Sequence, residues 1–239
     1  MKKIIITVFI LFSLCSLQGC TNNFGCSSLR NYHTGPDKKI NELKEKITDL
    51  EKETIKDVKT SSQLGAAYNQ LGLIYLDKKL WDSAIDSFQN CIKNGNNGAG
   101  IYYALGLAYA NRGKESSSEP DLTKAAQCYR RAIELQENLY DAKYALSILQ
   151  FYHLDDKVEA IRSLERLVSE NRKHYRGRFA LGKFYYETGK LDQSLNVYED
   201  LYDDVEKLPD SQTSMEYRNS AKENINIIMM QISHRKEVK

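Results

Sequence analysis

Residues 68–75 read YNQLGLIY, and the same frame returns as YYALGLAY at 102–109, YALSILQF at 144–151 and RFALGKFY at 178–185. In each copy apolar or aromatic side chains fall three and four residues apart, the period of one helical face. Counted from Gly72, the first copy has Tyr68 at −4, Leu71 at −1 and Tyr75 at +3, then Ala84 at +12, Phe88 at +16 and Cys91 at +19. Ala160, Leu164 and Leu167 keep those later offsets from Ile148, and Ser194, Tyr198 and Leu201 keep them from Gly182. In the second copy Ala125, Tyr129 and Ala132 are displaced by seven residues, which matches an insertion around Ser116, Ser117 and Ser118. Gly72 to Gly106 and Ile148 to Gly182 both span 34 residues, with 42 between the two pairs. A period of this length, held through four copies, reads as an array of helical hairpins.

The residue types suit that geometry. Glycine on the first helix of a hairpin lets the second approach closely, and Ala84, Ala125 and Ala160 offer the matching small surface. Aromatics at +3 and +16 fill the space between hairpins, which accounts for much of the content of 16 Tyr. Gly189-Lys190-Leu191-Asp192 gives a glycine stop and a short loop into the next helix. Ser147-Ile148 in place of Leu-Gly is expected to widen the third hairpin, and Ser194 in place of alanine to weaken the fourth.

This spacing resembles the tetratricopeptide repeat. The resemblance covers residues 65–208 and implies an all-α, right-handed α-solenoid of about four units at 65–98, 99–139, 141–174 and 175–208. Before it, residues 37–60 carry a narrow stripe of Ile40, Leu43, Ile47 and Leu50 among alternating charges. Only two clear heptads are present, so the stripe suits an N-terminal cap better than a coiled-coil seam. After Pro209, residues 211–235 form a further helix, with Thr213 and Glu216 spaced as a capping box. Its face of Tyr217, Ala221, Ile225, Ile228 and Ile232 would cover the open end of the array. The run Ile227 to Met230 is the alternative candidate for a partner-binding face.

The first residues read as an address. Lys2 and Lys3 precede an apolar run from Ile4 to Leu17, too short to cross ~30 Å of hydrocarbon but suited to a secretory signal. Leu17-Gln18-Gly19-Cys20 resembles the lipobox of bacterial lipoproteins. That resemblance implies a signal peptide at 1–19 and acyl chains on Cys20, each buried methylene contributing ~0.8 kcal/mol to membrane attachment. Residues 20–36 would be a flexible tether. Localisation is then the bacterial cell envelope, with Thr21 resembling a choice for the periplasm-facing side of the outer membrane and the inner membrane and cell surface as alternatives.

Chemistry is not indicated. Composition is that of a globular chain, 41% hydrophobic and 28% charged, and without Lys2 and Lys3 the charges balance. No net field favours a nucleic-acid partner. The histidines His33, His153, His174 and His234 lack the spacing of a metal site, and no phosphate loop or hydrolase motif occurs. The chain is therefore expected to be no enzyme and to need no cofactor or metal. Cys26, Cys91 and Cys128 form no CxxC, Cys91 falling at a core position and a Cys91–Cys128 disulfide remaining open. Asp155-Asp156 and Asp203-Asp204 are expected at turns and helix ends, as capping residues. Arg172-Lys173-His174-Tyr175-Arg176-Gly177-Arg178 is the strongest local charge feature, either a solvated helix start or a patch for an anionic surface.

In tetratricopeptide arrays the first helices line a concave groove. Carried over by register, that groove takes Asn69 and Leu73 (with Leu76 and Asp77), Tyr103, Leu107, Asn111, Leu149, Tyr152 (with His153), Arg176, Phe179, Lys183 and Tyr186. Leu73 stands where a carboxylate clamp would have asparagine, so that mode is not expected. The resemblance implies a membrane-anchored scaffold that binds another envelope protein or a peptide segment, with oligomeric state open. The alternative is a solenoid carrier for a small apolar ligand.

Overall fold

The computed structural model describes residues 35–52 and 58–237, so the leader, Cys20, Cys26, His33 and most of the tether lie outside the described residues. The described residues form ten α-helices and no strand: α1 (Pro36–Lys52), α2 (Val58–Asp77), α3 (Trp81–Lys93), α4 (Ala99–Ser116), α5 (Glu119–Leu135), α6 (Tyr140–His153), α7 (Lys157–Glu170), α8 (Tyr175–Glu187), α9 (Leu191–Glu206) and α10 (Gln212–Glu237). Four hairpins, α2/α3, α4/α5, α6/α7 and α8/α9, follow one another, each packing on the next, and α2 also touches α4 as α6 touches α8. The insertion lengthens the elbow of the second hairpin. α4 runs on to Ser116, Ser117 turns the chain at φ 53°, and Ser118 caps α5 by accepting from the Asp121 amide.

Glycine and ring are complementary in three hairpins. A Cβ on Gly72 would lie 2.8 Å from the Phe88 ring, on Gly106 2.6 Å from Tyr129, and on Gly182 2.7 Å from Tyr198. The third hairpin reverses the sizes, with Ile148 on α6 and Leu164 on α7 in one packed cluster. The expected widening is thus offset, because the bulk added to one helix is removed from the other. Nor does Ser194 loosen the fourth hairpin. Fully buried, its Oγ donates to the Gly182 carbonyl at 2.7 Å, joining α9 to α8 at their closest approach.

The hairpin turns share a left-handed residue seven positions after the central residue of the first helix. It is Lys79 (φ 59°), Asp155 (φ 50°) and Gly189 (φ 77°) in the first, third and fourth hairpins. The following amide closes the turn, Leu80 to the Tyr75 carbonyl at 2.9 Å and Lys190 to the Tyr185 carbonyl at 2.8 Å. Only one of these three positions is glycine, which is why a search for glycine finds only that turn.

Both ends are covered. α1 buries Ile40, Leu43, Ile47 and Leu50 against α2, held by Tyr68 Oη donating to Glu51 at 2.8 Å and Lys78 Nζ on Asp37 at 2.5 Å. Lys59 and Thr60, which the periodicity groups with the first helix, stand on α2. At the other end α10 buries Ala221 and Ile228 in a cluster with Leu201 and Val205 of α9. The residues that cap α10 are Ser211 and Ser214, each hydroxyl accepting from the other's backbone amide at 2.9–3.0 Å, and not Thr213 and Glu216. The helix starts at Gln212, two residues earlier than that spacing places it.

Candidate functional site

The groove residues divide into walls and surface. Tyr103 is 1% exposed, its ring 5.9 Å from Tyr129 within its own hairpin. Leu107, Leu149 and Phe179 are buried as well, Phe179 between the rings of Tyr198 and Tyr217. These four present almost no side-chain surface to a partner, a correction to the register argument. Tyr103, Leu107 and Leu149 share one packed cluster with the small Ala104, Ala108, Ala142 and Ala145, which let the helices close in, whereas Phe179 is covered by residues of α9 and α10. Asn69 and Leu73 lie half-buried on α2, and Asn111 turns its amide back onto the Leu107 carbonyl at 2.8 Å.

The expected residues that remain accessible gather on α6 and α8. Tyr152 is 41% exposed and stands on a buried stack, Phe151 over Phe184 at 3.7 Å, meeting both rings edge-on. Its Oη donates to Glu187 Oε1 at 2.9 Å, and Lys183 Nζ lies 5.3 Å over its ring and 3.6 Å from the same carboxylate. Burial, and after it the Glu187 charge, raise the Tyr152 phenol above its ordinary value, so it stays a hydrogen-bond donor at neutral pH. On the other side Lys157 lies 5.5 Å over Phe151. Phe151, Tyr152, His153, Asp155, Lys157 and Glu187 line a cleft of about 250 Å³ there. Tyr186 sits one turn further along α8, its Oη accepting from Gln231 Nε2 of α10 at 2.6 Å. Arg176 lies over the Tyr144 ring at 4.9 Å.

The basic run around α8 holds the fold. Arg178 is 1% exposed, and its guanidinium donates to Asp200 Oδ2 at 2.8 Å and Asp204 Oδ2 at 2.7 Å on α9. Arg172 grips the same two carboxylates. His174 caps α8, its Nδ1 accepting from the Gly177 amide at 2.9 Å. Hydrogen bonds from Arg172, and then from Arg178, hold the Asp204 carboxyl below the usual carboxylate range. Asp204 is thus no solvated helix end, and the run offers no open basic patch. Asp156 does cap α7, accepting from the Glu159 amide.

No group of three or more His, Cys, Asp or Glu among the described residues could hold a metal ion. Cys91 and Cys128 are free thiols, and burial pushes both up to about 11, which disfavours the nucleophilic thiolate. No helix of the described residues is long and apolar enough to cross a membrane.

Residues 65–94 and 151–210 match models of the tetratricopeptide repeat. The array has the all-α solenoid fold of tetratricopeptide repeats. Solved structures with this architecture include YrrB, titled a tetratricopeptide protein with an unusual peptide-binding site (18% identity, TM-score 0.53, covering 76% of this chain and 86% of that one). MamA is similar too (20% identity, TM-score 0.53, covering 80% and 99%), as is a tetratricopeptide repeat protein from Parabacteroides merdae (16% identity, TM-score 0.55, covering 82% and 78%). No curated protein matches the chain. Within the solenoid, Arg178 takes the position that Tyr68, Tyr102 and Tyr144 hold in the earlier repeats. Its two carboxylates come 22 and 26 residues later, beyond any local motif. Acids one turn apart on one helix face, Asp200 and Asp204, were the signal that could have found them.

Proposed function

We propose that this chain is a non-catalytic adaptor of a bacterial cell envelope, tethered by acyl chains on Cys20, which holds a segment of another envelope protein against the α6–α8 face. The tetratricopeptide fold suggests a protein-interaction scaffold. The single observation that carries the choice of face is Tyr152: a large ring, exposed on a rigid aromatic stack and flanked by a cation and a carboxylate. Such an anchor is already ordered, so binding it needs little further loss of side-chain freedom. Lys183 and Glu187 can then exchange part of their contact with each other for backbone or side-chain groups of an extended segment. The unusual peptide-binding site described for YrrB supports a partner of that class.

The carrier alternative has weaker support. The α6–α8 cleft is bordered by His153, Asp155, Lys157 and Glu187, and a second cleft of about 350 Å³ by Lys190, Asp192, Gln193 and Arg235. Sites for small apolar ligands are lined mainly by apolar groups.

The test is affinity capture from envelope extracts with the full chain and a Tyr152→Ala/Lys183→Ala variant. Loss of one specific protein from the variant, at unchanged helicity, is the expected result, and identical recovery overturns the assignment. Separately, Cys20→Ser is expected to release the protein from membranes, and continued membrane attachment would overturn the tether.

A further inference from the structure

α10 closes the array on one side and leaves its opposite side bare. Met215, Met229 and Met230 on it are among the exposed large apolar residues, Met230 at 68%. Exposed Asn219, Lys222, Glu223 and Asn226 complete the stripe, spaced by three and four residues on the face opposite buried Ala221 and Ile228. We infer that this stripe pairs with the same stripe of a second copy, antiparallel about a two-fold axis between Lys222 and Glu223.

The sequence along the helix carries that choice of occupant. An antiparallel pair centred there sets Met215 against the second copy's Met230, Glu216 against its Met229, Asn219 against its Asn226, and Lys222 against its Glu223. The 215/230 and 219/226 layers join like with like and the 222/223 layer joins opposite charges, each contact supplied twice by the symmetry; the Glu216–Met229 layer alone sets a charge against an apolar side chain. No like-charged pair falls in register. The facing asparagines can hydrogen-bond across the seam and, with the Lys222–Glu223 pairs, favour this one register. The flexible methionines cover each other at both ends. A solenoid terminus lacking the second helix of its last hairpin thereby receives one from the other copy. The paired stretch, residues 212–233, is about 33 Å long at ~1.5 Å per residue.

The pairing makes a geometric prediction that a generic sticky surface does not. Positions 215 and 230 meet across the axis, whereas the two copies of position 215 stand about 22 Å apart. Full-length chains with distinct tags, one Met215→Cys and one Met230→Cys, should when co-expressed give a disulfide-linked mixed dimer above the background of the parent chain. Met215→Cys alone should give none. In sedimentation of the full chain in mild detergent, Lys222→Glu should weaken the dimer about ten-fold, and adding Glu223→Lys should restore it. A monomeric parent chain, equal cross-linking by every cysteine combination, or no rescue by the double charge reversal would each overturn the inference. None of these outcomes depends on partner capture by the α6–α8 face.

Discussion

The Tyr129 ring occupies the space that a side chain on Gly106 would need: a Cβ there would come within 2.6 Å of it, with the Ala125 carbonyl at 3.3 Å. The ring is buried and has no room to retreat. Gly106→Ala should therefore lose the ~1 kcal/mol that alanine ordinarily gains over glycine in a helix, and Gly106→Val should destabilise by about 2–3 kcal/mol. Thermal melts followed by circular dichroism measure both, and a stabilised Gly106→Val chain would contradict the packing.

The third repeat makes the reciprocal prediction. Ile148→Gly alone removes packing and adds backbone freedom, and should destabilise by about 2–4 kcal/mol. Adding Leu164→Tyr rebuilds the glycine–ring pair of the other repeats and should return at least about 1 kcal/mol. A purely additive double variant, measured as a double-mutant cycle, would show that the two positions are not coupled.

Arg178→Ala leaves Asp200 and Asp204 with Arg172 as their remaining guanidinium and opens a void between α8 and α9. The cost should be about 2–3 kcal/mol, below that of a wholly buried pair because Asp200 is half exposed. Arg178→Lys should recover little, since one ammonium cannot bridge two carboxylates as a planar fork does. Denaturant titration decides, and a Lys variant as stable as the parent would count against the fork.

Asp204 adds a pH dependence of definite sign. Its folded pKa lies below the ordinary value of 3.8, so the stability it contributes is fully present above pH ~3.8 and drains away as pH falls through the lower folded value. Asp204→Asn should lower stability near neutral pH and flatten the acid limb below pH ~4. An acid limb unchanged in the variant would assign that dependence to other carboxylates.

Lys79 sits at φ 59° in the first turn, where glycine stands in the fourth. Lys79→Gly should stabilise by about 0.5–1 kcal/mol, the relief of a left-handed side chain outweighing the freedom gained by the unfolded chain. A lowered melting temperature would contradict this.

The repeats were legible because each is written in local chemistry. Gly72 and Gly182 recur with Phe88 and Tyr198 sixteen residues on, and Gly106 with Tyr129 once the seven-residue insertion is allowed for, so one period yields the hairpins and their order. The role of Ser194 was not legible, because a buried serine reads as a loss until the Gly182 carbonyl is seen opposite it. Arg178 was misread for a related reason, since a charge next to two other basic residues looks solvated when its acids lie on the following helix. The burial of Tyr103 and Leu107 was not legible, because it depends on how closely neighbouring helices approach. That distance is set by alanines scattered over several repeats. Tyr152, Lys183 and Tyr186 stayed accessible where larger side chains occupy those positions.

The most direct measurement is site-specific photocrosslinking in cells that make the full chain. A photoreactive residue at position 152 should yield a single dominant adduct with another protein, and the same residue at exposed Arg130 on α5 should not. Equal adducts from both positions, or an adduct from 130 alone, would contradict a partner held on the α6–α8 face.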